Sequence, residues 1–375
     1  MIYLDYSATT PVNKEVLDSF CKAALDYPGN PNSLHKLGLD SKKLIEASTL
    51  QVANILNVKA SEIIYTSGAS ESNNLAIKGI ADKYKNRGKH IITTNFEHSS
   101  IYGPLSYLQK EGYDIDFVET LPNGLIDLNK LEKLIRNDTI LVTVASVNSE
   151  IGIRQPIEEI ANIVKKFPKC FFHVDMTQSI GKEAISLNNI DLVSFSAHKF
   201  FGIKGIGVLV KKENVSLEPL IHGGKSTTAF RSGTPALPLI VSLAKALRLA
   251  IIDIEKKYQY VKKINKMLVD KLKEYPLVRI NSNENCIPQI LNISILNCKP
   301  ETMQHALEEY DIYISTQTAC SKNSNFSKAV FALTKNEEIA SSSIRISLSY
   351  LTTEEECLEF LKSFSACYER LTSLR

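Results

Sequence analysis

Between residues 16 and 210, short apolar runs alternate with amphipathic stretches, and this alternation constrains the fold more than any other feature of the chain. The runs fall at 63–66, 90–94, 139–147, 171–175, 191–196 and 207–210. Each is short and bounded by turn residues, so each reads as a strand. Strands interleaved with helices predict an α/β architecture, a mostly parallel sheet covered by helices on both faces. Ligands of such sheets gather at the carboxyl ends of the strands. After Pro238 the pattern changes to one long helical stretch from 239 to about 275, with lysines crowded into its second half. Strands at 289–295 and 344–348 and helices at 301–310 and 353–371 then predict a smaller α+β unit. The expected division is a large domain over residues 16–250 and a small domain built from residues 1–15 plus 251–375.

Three strand ends carry chemistry. Ser194-Phe195-Ser196-Ala197-His198-Lys199 closes one apolar run. A lysine desolvated at a buried strand end loses its proton more readily, and a neutral amine condenses with an aldehyde. Phe171-Phe172-His173-Val174-Asp175, followed by Gln178, delivers a carboxylate from the preceding strand. Thr66-Ser67-Gly68-Ala69-Ser70-Glu71-Ser72 lies between a strand and a helical run. Small residues there let backbone N–H groups approach a phosphate, aided by the helix dipole. Taken singly, these are an ordinary edge lysine, a helix cap and a capped turn. Together they match pyridoxal phosphate (PLP), which needs an amine for its aldehyde, an acid for its ring nitrogen and a cup for its phosphate.

Composition removes other classes. Lysine and arginine number 44 against 41 aspartates and glutamates, a net charge of +3 that gives no field suited to nucleic acid. The lysine-rich helical stretch reads as a solvated face, since acidic residues are mixed into it. The seven cysteines, Cys21, Cys170, Cys286, Cys298, Cys320, Cys357 and Cys367, are scattered without a CxxC pair. They indicate reduced thiols, with neither a disulfide framework nor a metal site. No segment reaches the roughly 18 uninterrupted apolar residues of a membrane span, and the N-terminus lacks a signal pattern, so a cytoplasmic location is expected. His222-Gly223-Gly224-Lys225-Ser226 ends like a P-loop, but Pro219 stands where the first glycine is required. Gly202-Ile203-Lys204-Gly205-Ile206-Gly207 has its glycines in the wrong order for a dinucleotide fingerprint.

With these motifs in hand, the chain resembles the cysteine desulfurases, the NifS-like branch of the class V, fold-type I PLP enzymes. The resemblance runs from Tyr3-Leu4-Asp5-Tyr6-Ser7-Ala8-Thr9-Thr10-Pro11 to Ser343-Ile344-Arg345-Ile346-Ser347-Leu348 and on to Thr352-Thr353-Glu354-Glu355-Glu356. It implies that Lys199 binds PLP covalently and that Asp175 meets the pyridine nitrogen. His98 would stack on the ring, and Gln178 would meet its phenolic oxygen. Ala69, Ser70, Ser196 and His198 would hold the phosphate, with Thr234 reaching in from a second subunit of a homodimer. Arg345 would clamp the substrate carboxylate, a task suited to its planar fork. Cys320, in Ser315-Thr316-Gln317-Thr318-Ala319-Cys320-Ser321-Lys322, would take sulfur from L-cysteine as a persulfide, leaving L-alanine. The polar loop after it suits a carrier that visits both substrate and acceptor.

The chain departs from the family pattern at four places. Asn148-Ser149-Glu150 stands where a paired asparagine is usual, so Ser149 would contact the cofactor with a shorter reach. Gly223-Gly224-Lys225-Ser226-Thr227-Thr228-Ala229 replaces a glycine-rich stretch, and Thr316-Gln317-Thr318 replaces the usual serine and glycine approach to the cysteine. The sequence ends at Arg375, before the longer tail that housekeeping members use to dock an iron–sulfur scaffold. The implied acceptor is a protein serving tRNA thiolation, iron–sulfur assembly or another thio-cofactor pathway. A selenocysteine lyase, a class V aminotransferase and a non-catalytic PLP-scaffold partner are the alternatives.

Overall fold

Valine, isoleucine and phenylalanine dominate the central runs, and their branched or flat side chains pack well on a pleated surface. The computed structural model describes residues 1–316 and 326–372. In it these runs form a seven-stranded sheet in the order Ile63–Thr66, Gly207–Lys211, Leu192–Ser196, Phe171–Asp175, Thr139–Ala145, His90–Thr93 and Asp114–Phe117. Gly207–Lys211 runs antiparallel to both neighbours, and every other pairing is parallel. The expected α/β class and mostly parallel sheet are therefore what the chain forms. Alternate residues feed two cores, with Ile92, Val142, Phe172 and Val193 on one face and Ile91, Leu141, Phe171 and Leu192 on the other.

Among the differences from the expectation, two concern the large sheet and the helical stretch after it. Asp114–Phe117 is an edge strand that sequence analysis does not pick out, because its Asp-Ile-Asp-Phe run is too polar and too exposed to look like one. The stretch from 239 to 275 is two helices, Leu237–Ile251 and Ile254–Leu272. They are separated at Asp253, whose φ of 52° is left-handed. Aspartate tolerates that region, and helical periodicity continues on both sides, so the break leaves no mark in the pattern.

The remaining chain forms a three-stranded antiparallel sheet, Ser343–Ser347, Ile290–Ile295 and Val278–Ile280. Helices Ile254–Leu272, Pro300–Glu308 and Glu354–Thr372 pack around it through a separate apolar cluster. Leu4 belongs to that cluster, and Ile2–Tyr3 pairs in parallel with Ile312–Tyr313. Residues a few places on bond to the large sheet instead: the amides of Thr10 and Asn13 donate to the carbonyls of His198 and Phe201. The N-terminal segment thus straps the small sheet to the strand end that carries Lys199. No helix among the described residues is long and apolar enough to cross a membrane.

Candidate active site

The parallel strands end level with one another, Ala145 facing Asp175 and Asp175 facing Ser194 in register. Beyond those ends lies a cavity of about 560 Å3, within the range of small-molecule sites. Its wall includes Ala69, Ser70, His98, Ser149, Asp175 and Gln178. Ser196, His198, Lys199 and Arg345 complete the set of sequence-predicted residues that it gathers. Thr234 is exposed and does not line the cavity of its own chain. Cys320 lies outside the described residues.

The cup is made by chain geometry. Helix Ala69–Tyr84 begins without a side-chain cap, so its first amides are left for an anion. A Cβ at Gly207 would come within 2.7 Å of the Gly68 backbone, so only glycine lets the cup lie against the neighbouring strand. Glu71 accepts the Ser67 amide at 2.6 Å and pairs with Arg231 at 2.9 Å. That pair ties the segment carrying Thr234 to the cup.

Asp175 is 5% exposed, and both its oxygens are engaged. Oδ2 accepts from Asn73 Nδ2 at 2.8 Å, and Oδ1 accepts from the Thr177 amide at 3.0 Å. Beneath it, Thr143 Oγ1, His173 and Ser194 Oγ form a buried chain across three strands, at 2.8 and 2.9 Å. His98 caps helix Ser99–Lys110, its Nδ1 accepting from the Ser100 amide at 3.2 Å. Burial lowers the His98 pKa, against the opposing charge of Asp175 and with a smaller push from Lys199. Burial and the charges of Lys199 and Lys204 likewise push His198 down to about 4.

Lys199 sits in a tight turn, Ala197–Lys199, directly after its strand. Its Nζ donates to the carbonyls of Ser7 and Ala8 at 2.6 and 2.8 Å. Gln178 Nε2 donates to the same Ser7 carbonyl at 3.0 Å. Arg345 is 2% exposed; Nη2 pairs with Asp5 at 2.8 Å, Nη1 donates to the Ser149 carbonyl at 2.9 Å, and Nε has no partner. Asn148 fixes the turn that presents Ser149, its Oδ1 accepting the amides of Glu150 and Ile151.

Sequence reading missed Asn73, Thr177 and the N-terminal wall from Asp5 to Ala8. Asn73 carried a usable signal, an amide among the apolar residues of a helix face, where an unpaired polar group is costly. The wall's roles carried none, because the Ser7 and Ala8 carbonyls and the Asp5 carboxylate meet their partners only by folding.

The model of the aminotransferase class-V family matches residues 2–360. Cysteine desulfurase IscS of Vibrio vulnificus (strain CMCP6) is 40% identical over an alignment 382 positions long, covering 100% of this chain and 94% of the relative. A solved NifS-like protein superposes with a TM-score of 0.92 at 36% identity, covering 99% of each chain. The structure of SspA in complex with cysteine superposes with a TM-score of 0.83 at 33% identity, covering 94% of this chain and 100% of that one. The chain belongs to the aminotransferase class-V family, among the NifS-like and IscS cysteine desulfurases.

Proposed function

We propose that this chain is a cytoplasmic, homodimeric, PLP-dependent cysteine desulfurase, which converts L-cysteine to L-alanine and loads the sulfur on Cys320 for a protein acceptor. The observation that carries this reading is the meeting of Lys199, Asp175, His98, the uncapped helix Ala69–Tyr84 and Arg345 around one cavity. Kinship with IscS of Vibrio vulnificus and with SspA in complex with cysteine supports the substrate. We take residues 16–250 as the cofactor-binding domain and residues 1–15 plus 251–375 as the domain that brings Arg345 and Cys320.

The residues present fit PLP. An amine, an oriented carboxylate and an uncapped helix start face the same space. Three buried atoms of residues that line the cavity, Ser7 Oγ, Thr177 Oγ1 and Arg345 Nε, have no partner of their own. Buried polar atoms are rarely left unpaired, so a polar ligand is the natural complement. Lys199 would hold the group, Asp175 its ring nitrogen, Gln178 its phenolic oxygen and Ser149 a further edge. Ala69, Ser70, Ser196 and His198, with Thr234 of a second subunit, would hold the phosphate. Bound there, PLP supplies an electron sink for the pair left at the substrate Cα.

The chain's own residues do the rest. Arg345 receives the substrate carboxylate while Asp5 keeps the guanidinium fixed. Lys199 takes the Cα proton and later returns one. His98 would stack on the bound group and keep water off it. The Cys320 thiolate attacks the substrate sulfur, an S–S bond forms as the C–S bond breaks, and the carbon that lost sulfur is protonated to give alanine.

The test is direct. Protein treated with cysteine is expected to release alanine and to carry one added sulfur on the Cys320 peptide by mass analysis. Cys320→Ser is expected to bind PLP and cysteine yet form no persulfide and little alanine. A keto acid product indicates an aminotransferase, and turnover of selenocysteine alone indicates a lyase; sulfur on another cysteine removes Cys320 from the role.

A further inference from the structure

One half-buried lysine beside the cavity has no part in the reaction above. Lys182 lies four residues after Gln178, and its Nζ donates to Gln178 Oε1. Its backbone carbonyl is held in turn by Gln289 Nε2 at 3.1 Å, which anchors the lysine against the small sheet. Gln178 is 4% exposed and lines the cavity. Its Nε2 donates to the Ser7 carbonyl, and that carbonyl also accepts from Lys199. A primary amide has two N–H donors and one oxygen, and the two ends differ only in what they meet. With Oε1 taken by the lysine and one N–H by Ser7, a flip would set the amide nitrogen against an amine and the oxygen against a carbonyl. The amide is therefore locked with its second N–H free.

We propose that Lys182 is a positioning residue: by holding Gln178 Oε1 it fixes the orientation of that amide, so that the cavity meets an N–H donor and not a carbonyl oxygen. The inference rests on the reading that the cavity takes PLP, whose phenolic oxygen is the acceptor such a donor serves. Burial, reinforced by the nearby charges of Lys199 and Arg345, holds the Lys182 amine well below the usual lysine range.

A donor to the phenolic oxygen favours its ionised form, so losing the lock raises the pH at which the visible band of the bound cofactor titrates. The shift expected in Lys182→Met is upward by about 0.5–1 pH unit, the size of one net hydrogen bond. PLP affinity, read by equilibrium dialysis, is expected to weaken by roughly threefold to tenfold. Because Lys182 acts through Gln178, the same substitution made in Gln178→Ala is expected to move the midpoint no further. Lys182→Arg, which keeps an N–H donor, is expected to stay near the wild-type midpoint. If Lys182→Met loses its circular dichroism, Lys182→Asn, too short to span to Oε1, takes its place. An unchanged midpoint in the single variant, or an equal shift with and without Gln178, overturns the proposal while leaving the cofactor assignment intact. A wild-type protein that takes up no PLP overturns both.

Discussion

At the scale of single residues, the site is a set of side chains whose partners are already chosen. Lys199 rests on two backbone carbonyls and Asp175 on an amide nitrogen from each of two elements. Lys199→Ala is expected to abolish cofactor fixation by borohydride, and wild-type protein to be yellow; a wild-type protein that stays colourless with added PLP sinks the assignment. Asp175→Asn is expected to keep the cofactor but lose turnover by roughly a hundredfold or more, because an amide cannot hold the ring nitrogen protonated. Near-normal alanine release from that variant removes Asp175 as the ring partner. Lys199, Asp175 and the cup were legible in sequence because each follows an apolar strand. Asn73 and Thr177, which hold Asp175 in place, were not, since hydrogen-bond partners 102 residues apart or across a turn leave no local pattern.

At the scale of elements, the strand Phe171–Asp175 carries both the carboxylate and, two residues earlier on the same face, a buried imidazole. His173 accepts and donates only to Thr143 and Ser194, and burial pushes it from 6.5 down to about 4. The unfolded chain therefore takes up that proton first. Stability from this residue is complete above pH 6.5 and is lost as the pH falls towards 4, by up to about 1.4 kcal/mol per pH unit. Urea unfolding between pH 7 and pH 4.5 is expected to show that slope, and His173→Gln to flatten it at the cost of lower stability near neutrality. An identical slope in the variant assigns the acid sensitivity to another group. Six strands of the large sheet, the strands Ile290–Ile295 and Ser343–Ser347 of the small one, and the helices Pro300–Glu308 and Glu354–Thr372 were legible at this scale from the period of their apolar residues. The edge strand Asp114–Phe117 was not, because its residues meet solvent, and the break at Asp253 was not, because a single left-handed residue leaves helical periodicity intact on both sides.

At the scale of the whole molecule, Thr234 is exposed beside a segment tied to the cup through Arg231 and Glu71. If it completes a neighbour's phosphate site, light scattering is expected to give twice the chain mass, and Thr234→Ala to weaken PLP binding by roughly threefold to tenfold, the loss of one hydrogen bond. A monomer that retains PLP with wild-type affinity excludes that role. The sequence by itself determined the alternation of strands and helices, the placing of Lys199 and Asp175 at strand ends and the kinship that points to sulfur transfer. These are encoded in residue type and short spacing, which survive without coordinates. Only the tertiary structure decided that the N-terminal segment supplies carbonyls to Lys199 and Gln178, that Asp5 and Ser149 hold Arg345, and that Lys182 grips Gln178. Asp5 and Arg345 lie 340 residues apart in the chain. Such contacts are made by the packing of two sheets against one strap, and no local rule of sequence carries them.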